Sequence, residues 1–289
     1  MTVVAGLPVH MFIRDARAGE PETIARVVRE IEEMGFWGVS VSHHLSDPGL
    51  SALGHAGGEL VNWRYADPIA ILSYLAAVSK KVRLIPWVMV LPYRRPVELA
   101  HGLATIDSLS GGRLVFGAGA GSQESEFRLV GASRKERGRI TDEWLDVVIE
   151  LWTNPKATYS GRYTDFENVN LAVKPVQKPR PPFVIGGKGE KRLLRAAARW
   201  ADHYNYPGDD VSDFRYRLQV LHDHCVDIDR DPSQIETSLQ IRVSDVPGAI
   251  AKAAEAGAAG ADHVIFYLPP PADIRLIEPV AEEAKRSLG

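Results

Sequence analysis

The sequence has little of what would place the protein in an oxidising compartment, in a membrane or on nucleic acid. Its 289 residues include one cysteine, Cys225, so no disulfide forms within the chain, and we expect a cytoplasmic protein. No stretch approaches the ~18 consecutive apolar residues of a membrane span, and the N-terminus lacks a basic leader. The net charge of -3 argues against general affinity for nucleic acid. We therefore expect neither a membrane nor a nucleic-acid partner.

The chain instead contains a regular alternation of strand-like and helix-like segments. Short apolar runs predict strands, and apolar residues recur at helical spacing between them. The predicted strands are Leu7–Ile13, Trp37–Ser42, Val82–Val90, Arg113–Ala118, Phe183–Ile185, His203–Tyr206, Ile235–Val243 and His263–Leu268. Alternating strands and helices imply a parallel sheet, and this many units fit the ~250 residues of a typical TIM barrel.

We therefore predict an α/β fold, a (β/α)8 TIM barrel that spans residues 1–289 as a single domain. An open, doubly wound sheet is the alternative. Residues 157–171 lose the helical period and carry Gly161 near their middle, which predicts a small hairpin inserted in the barrel.

Glycines follow two of the predicted strands, at the end of a barrel where ligands bind. Gly186, Gly187, Lys188 and Gly189 lie between a strand and a helix, so their backbone N–H groups predict a phosphate site to which Lys188 adds a cation. A glycine turn that only closes the loop is the alternative. Gly119 belongs to a second glycine-rich exit, which predicts close approach of a flat ligand to the backbone.

Two adjacent histidines, His43 and His44, end the second predicted strand. Successive strand residues point to opposite faces, so one of the pair need face the barrel mouth, where a histidine is suited to general acid–base catalysis. A structural histidine bonded to a loop carbonyl is the alternative. The sequence around them offers no further clustered metal ligands, so we expect no metal site.

The third predicted strand carries side chains suited to a flat heteroaromatic ring. Trp87 and Met89 lie within it and Tyr93 follows it, while Pro86 predicts a local irregularity. For Met89 core packing is the alternative. The polar residues 122–126 predict hydrogen bonds at the next strand exit or a helix cap. Residues 134–139 are interpreted as a solvated charged face.

Five sequence segments in a fixed order cover nearly the whole chain and resemble the bacterial luciferase-like superfamily of flavin- and deazaflavin-dependent oxidoreductases. Their sequences are most similar to those of the subfamily that uses coenzyme F-420 (F420), a deazaflavin. The segments are GFWGVSVSHHL (35–45), VMVLPYRRPVELAHGLATIDSLSGGRLVFGAGAG (88–121), ERGRITDEWLDVVIELWT (136–153), YSGRYTDFENVNLAVKPVQKPRPPFVIGG (159–187) and RAAARWADHYNY (195–206).

The resemblance implies a barrel with the cofactor ring at its C-terminal mouth and His44 as the catalytic acid–base. His43 stands where many deazaflavin enzymes have aspartate. Trp87–Val88 matches a non-prolyl cis peptide that supports the ring, and Ser125 stands where some relatives have a ring-contacting asparagine. The residues expected to contact the cofactor are His43, Trp87, Val88, Met89, Gly119, Ser125, Gly186, Gly187, Lys188 and Gly189.

The function that follows is hydride transfer between F420 and an organic small molecule. An FMN-dependent monooxygenase that uses O2 and a partner reductase is the alternative, and a non-catalytic flavin-binding barrel is a second one. The resemblance also implies a homodimer, to which Trp144 and Trp152 are candidate contributors. Residues 43–66 and 207–213 are expected to form the substrate pocket.

Overall fold

The computed structural model of the protein describes residues 2–3, 6–8, 21–46, 66–267 and 277–288. The strands are β1 (Thr2–Val3), β2 (Gly6–Pro8), β3 (Gly38–Val41), β4 (Arg83–Pro86), β5 (Met89–Val90), β6 (Phe116–Gly119), β7 (Ala157–Ser160), β8 (Asp165–Val169), β9 (Phe183–Gly186), β10 (His203–Tyr206), β11 (Glu236–Arg242) and β12 (His263–Tyr267). The helices are α1 (Pro21–Glu33), α2 (Pro68–Val78), α3 (Pro96–Ser110), α4 (Glu124–Leu129), α5 (Arg137–Thr153), α6 (Arg195–Trp200), α7 (Val211–Val226), α8 (Val246–Ala258) and α9 (Ile277–Leu288).

The parallel strands close into a ring, which confirms the predicted TIM barrel over an open sheet. β2 pairs with β3 and β3 with β4, and a bridge from Leu84 to Leu114 joins β4 to the segment that enters β6. From β6 the ladder continues through β9, β10 and β11 to β12. β1 then pairs with β12 and so returns the ring to the start of the chain.

Local sequence signals set the ends of the helices. The Asp67 carboxylate accepts the N–H groups of Ile69 and Ala70 at 2.9 and 3.2 Å, and Pro68 occupies the first turn of α2. Helix α3 likewise begins at Pro96, and it ends at Gly111, whose φ of 68° is left-handed. None of the helices in the described ranges is long and apolar enough to cross a bilayer.

Two predicted elements differ in detail from the structure. The strand predicted over Val82–Val90 is divided into β4 and β5, and the peptide bond between Trp87 and Val88 is cis, as the resemblance implies. A π-helical turn, Glu190–Leu194, precedes α6 where one regular helix is predicted. The hairpin is confirmed as the antiparallel pair β7–β8, and residues 9–13 of the first predicted strand lie outside the described residues.

Alternating strand residues form an outer core against the helices and a lining of the barrel interior. The outer core contains Phe116, Phe183 and Trp152, which meet edge to face. Trp152 and Trp144 are both buried within the chain, and they donate their indole N–H groups to the backbone carbonyls of residues 100 and 94. The structure therefore corrects the expectation that these two tryptophans contribute to a dimer surface.

The interior of the barrel is apolar on one side and polar on the other. Ile85, Val115 and Val184 pack together on β4, the approach to β6, and β9. On β10 and β11, a chain of hydrogen bonds runs from Gln240 to Asn205 (3.1 Å), from Asn205 to Ser238 (2.9 Å) and between Ser238 and His203 (2.6 Å). This polar column extends from the C-terminal toward the N-terminal ends of the strands.

Candidate active site

His43 follows β3 and is held as a neutral hydrogen-bond donor. The Val90 N–H donates to His43 Nδ1 at 3.0 Å, so the neutral ring carries its proton on Nε2. Burial, with a smaller contribution from Arg94, lowers the pKa of His43 to about 4. The side chain is 2% exposed, and its Nε2 has no hydrogen-bond partner within the described ranges. A buried donor of this kind needs an acceptor.

His44 lies beside a buried carboxylate. Its Nδ1 is 3.3 Å from each oxygen of Glu126, which belongs to α4 at the exit of β6. The same carboxylate accepts the N–H groups of Leu45 at 2.6 Å and Ser46 at 3.2 Å, and the Tyr93 hydroxyl at 3.1 Å. Burial and the neighbouring carboxylate raise the pKa of Tyr93 above its ordinary value, so the phenol stays a donor.

These contacts give the two histidines different chemistry. The contact with Glu126 orients the His44 ring through Nδ1 and places a carboxylate beside it, an arrangement suited to a histidine that takes up a proton. His43 cannot take up a proton near neutral pH and instead offers one hydrogen bond. Sequence reasoning found both histidines, but it treated Glu126 as one of several polar residues, because a contact 82 positions away in the chain is invisible there.

The glycines of β6 are required by the neighbouring strand. A Cβ at Gly117 would lie against the carbonyl oxygen of Pro86, and one at Gly119 would overlap Val88 Cγ2. At Gly121, whose φ is 74°, a Cβ would lie 2.5 Å from Val90 Cγ1. The sequence interpretation assigned this space to a flat ligand, whereas most of it is filled by the irregular segment between β4 and β5.

A cavity of about 830 Å³ opens where β6 and β9 end. Its lining consists of Val88, Gly119, Ala120, Gly121, Ser122, Lys135, Glu136, Arg137, Gly138, Arg139, Gly186, Gly187, Gly189, Arg192, Leu193 and Pro207. Five of the predicted cofactor residues thus meet at one cavity: Val88, Gly119, Gly186, Gly187 and Gly189. Gly187 has a φ of 143°, and a Cβ there would lie 2.6 Å from Leu193 Cδ1.

The other five predicted cofactor residues do not line this cavity: His43, Trp87, Met89, Ser125 and Lys188. Met89 is fully buried in the outer core, and Ser125 is exposed on α4. Lys188 directs its ammonium away from the glycines, 2.8 Å from the Tyr206 hydroxyl and 3.4 Å from Asp213. Trp87 is half-buried, and its backbone N–H donates to the Val41 carbonyl at 2.7 Å. Of the range 43–66 that is expected to contribute to the substrate pocket, residues 47–65 lie outside the described residues.

Four cations form a rim along one side of the cavity, which we call the cationic rim: Lys135, Arg137, Arg139 and Arg192. Arg139 pairs with Glu136 at 2.9 Å, and Arg192 lies 3.6 Å from Asp142. Among the residues that the structure describes, no carboxylate lies within 4.0 Å of Lys135 or Arg137. The segment interpreted as a solvated charged face therefore borders the cavity, with two cations available to an anion.

Comparisons of this sequence with known proteins agree on one family. The luciferase-like monooxygenase family matches residues 4–285. An uncharacterized protein of Mycobacterium tuberculosis strain H37Rv is 30% identical over 253 residues, which cover 86% of this chain and 87% of that one. An F420-dependent glucose-6-phosphate dehydrogenase of Microbacterium testaceum is 29% identical, covering 75% and 62% of the two chains. An FMNH2-dependent dimethylsulfone monooxygenase of Pseudomonas putida is 26% identical, covering 68% and 56%.

Solved structures show the same fold. An F420-dependent secondary alcohol dehydrogenase, in complex with an F420–acetone adduct, superposes with a TM-score of 0.79 over 93% of this chain and 96% of that one, at 18% identity. The monooxygenase RslO1 from Streptomyces bottropensis superposes with a TM-score of 0.75 over all of both chains, also at 18% identity. At 18% sequence identity, these superpositions show a shared fold only.

Proposed function

The chain belongs to the luciferase-like monooxygenase family, and from this premise we propose that it is an F420-dependent oxidoreductase that acts on an organic small molecule. Relatives of the chain include an F420-dependent dehydrogenase and an FMNH2-dependent monooxygenase, so the family supports an oxidoreductase with either cofactor. The choice between the two cofactors depends on features of this chain.

The glycines and His43 fit a bound flavin-type group. Gly119, Gly186 and Gly187 line the cavity, and without side chains they let a bound group approach their backbone closely. No described residue accepts a hydrogen bond from the buried Nε2–H of His43, and a carbonyl or ring nitrogen of a bound cofactor would supply an acceptor. Both observations support a cofactor in this region of the barrel, although they suit F420 and FMN equally.

The cationic rim is the observation that favours F420. Both cofactors carry a phosphate, but F420 continues beyond it into a tail that contains glutamate and bears further carboxylates. FMN ends at its phosphate. Four basic side chains around one cavity, two of them without an acidic partner in the described structure, exceed what a single phosphate needs. The basic side chains that the phosphate does not need would form charge-assisted hydrogen bonds to the carboxylates of the F420 tail.

In the proposed reaction F420, when bound, supplies two-electron hydride chemistry, and the protein supplies binding, orientation and proton transfer. The cavity glycines and the cationic rim hold the anionic part of the cofactor. His43 donates one hydrogen bond from Nε2 and stays neutral. His44 exchanges the substrate proton at Nε2 while Glu126 fixes its Nδ1–H and stabilises the charged ring.

Titration of the purified protein with F420 and with FMN, followed by fluorescence, tests the assignment. We expect F420 to bind more tightly than FMN, and Arg137→Ala to weaken F420 binding by about tenfold, since one charge-assisted hydrogen bond is lost. Arg215→Ala, which removes an exposed arginine of α7, is the matched control and should leave binding unchanged. Tight binding of FMN alone would support the monooxygenase instead, and binding of neither would support a non-catalytic barrel.

A further inference from the structure

A second cluster of chemistry-bearing side chains lies at the opposite end of the barrel from the cavity. His203, Glu236 and His263 are the first residues of β10, β11 and β12, three neighbouring parallel strands. His203 pairs in register with Glu236, and His263 pairs with Ser238, two residues further along β11. The topology therefore places the three side chains together at the N-terminal face, where none of them takes part in the proposed reaction.

The donor atoms of the cluster have nearly the spacing of a metal site. One ring nitrogen or carboxylate oxygen of each residue lies within 4.8 Å of the other two. His263 Nε2 and Glu236 Oε2 are 3.1 Å apart. Zinc binds histidine nitrogen and carboxylate oxygen at about 2.0–2.2 Å in tetrahedral geometry, which places neighbouring donors roughly 3.3 Å apart. The Glu236 side chain is 61% exposed, so it is free to adjust its rotamer around a bound ion.

The two imidazoles are held in place by the surrounding structure. His203 is 4% exposed, and its Nε2 lies 2.6 Å from the Ser238 hydroxyl, which also accepts the side-chain N–H of Asn205. Its ring centre is 5.2 Å from that of His263. A ligand histidine whose other nitrogen is hydrogen-bonded is the usual arrangement in metal sites.

We propose that His203, Glu236 and His263 form a binding site for one divalent transition-metal ion of the zinc type. Two histidines and one carboxylate are a ligand set that such ions accept, with water completing the coordination. The ion would join the N-terminal ends of three strands, at the face of the barrel that serves stability rather than chemistry. The site is independent of the proposed function. Sequence reasoning expected no metal because the three ligands come from separate strands and share no local motif.

Metal titration of chelator-treated protein without a histidine tag tests the site. We expect one equivalent of Zn²⁺ to bind per chain, measured against a chromophoric chelator, and Co²⁺ to give the visible absorption of a bound ion. Zn²⁺ should also raise the midpoint of thermal unfolding. Glu236→Gln removes the carboxylate from a side chain that is 61% exposed and should weaken Zn²⁺ binding at least tenfold without unfolding the chain.

Controls separate this site from adventitious binding. His101→Gln, which removes an exposed histidine of α3, should bind Zn²⁺ like the wild type. His263→Gln provides a second disruption and should abolish the visible Co²⁺ band. Equal Zn²⁺ affinity in the wild type, Glu236→Gln and His263→Gln would overturn the proposal, and so would less than one equivalent bound. In either case the pair of Glu236 and His263 is an ion pair only.

Discussion

Two adjacent histidines can have opposite roles because side chains from distant parts of the chain surround each of them. His43 receives a backbone N–H from Val90 and is buried, whereas His44 meets the carboxylate of Glu126. The sequence predicts both histidines as candidates from their place at a strand end. It cannot distinguish them, because the distinction depends on residues contributed by β5 and α4.

The first prediction concerns the pair of His44 and Glu126. We expect His44→Ala to lower turnover by about 100-fold or more, the usual contribution of general acid–base catalysis, with cofactor affinity nearly unchanged. Glu126→Gln should lower turnover less and move its pH profile to lower pH, because the imidazolium loses its counter-charge. Steady-state kinetics against pH measures both effects.

Glu124→Gln is the matched control for this pair, since Glu124 is an exposed glutamate of the same helix. It should keep the wild-type rate and pH profile. If His44→Ala kept full turnover, His44 would have no part in the proton transfer. An unmoved pH profile in Glu126→Gln would limit Glu126 to a structural role.

The second prediction concerns stability in mild acid. The folded-state pKa of His43 is about 4, below the 6.5 of the exposed group, so the unfolded chain binds more protons between these values. The free energy of unfolding should therefore fall as the pH drops from 7 to 5, by about 2 kcal/mol for this histidine. His203 acts in the same direction, with a folded-state pKa of about 3.

Urea unfolding at pH 7 and pH 5 measures this loss. In His43→Gln the difference between the two pH values should be smaller by about 2 kcal/mol, because the titrating group is gone. In His101→Gln, an exposed position, the difference should match that of the wild type. An equal pH dependence in His43→Gln and the wild type would show that His43 titrates normally in the folded protein.

At the scale of the element, the segment from β4 to β6 shows where sequence patterns succeed and where they stop. Pro86 predicts an irregularity, and the strand does divide after it. The glycines of β6 are visible in the sequence, but their cause is not, because it is the carbonyl of Pro86 and the side chains of Val88 and Val90 on the neighbouring strand. Local periodicity is enough to predict that a strand or helix is present. The contact between the β6 glycines and the segment after β4 depends on the register of the two strands, which local periodicity does not give.

The third prediction follows from this packing. In Gly117→Ala the added Cβ would overlap the Pro86 carbonyl, which is backbone and cannot rotate away, so we expect a loss of about 2 kcal/mol or more in the free energy of unfolding. Gly102→Ala is the control. Gly102 lies within α3, and its added Cβ would meet the Ile69 side chain of α2 at an ordinary 3.5 Å. Chemical denaturation should show Gly102→Ala at least as stable as the wild type. Equal stability of the two variants would contradict the packing argument.

At the scale of the whole molecule, the alternation of elements is enough to predict the barrel and the end at which a cavity opens. Eight strand positions return the ladder to its start, and the cavity opens at the C-terminal ends of β6 and β9. The cationic rim could not be predicted, because residues 134–139 border the cavity only once α5 packs beside β9. The cluster of His203, Glu236 and His263 could not be predicted either, because these residues come together only when their three strands pair.

The fourth prediction concerns assembly. The resemblance implies a homodimer, and since Trp144 and Trp152 are internal, its surface must be formed by other residues. Light scattering after size exclusion should give a mass of twice the 31.8 kDa chain. If the mass is that of one chain across micromolar concentrations, the homodimer prediction is wrong.

The crowding around the β6 glycines has a consequence for anyone who wishes to redesign the protein's selectivity. Gly119 and Gly121 line the cavity and Gly117 precedes them in the chain, so all three look like free space for mutagenesis. The adjoining segment already occupies the volume that a larger side chain would need. Directed-evolution libraries should therefore keep these three codons fixed. Ser122 and Pro207, which line the cavity outside this crowded strand, are better places to introduce diversity.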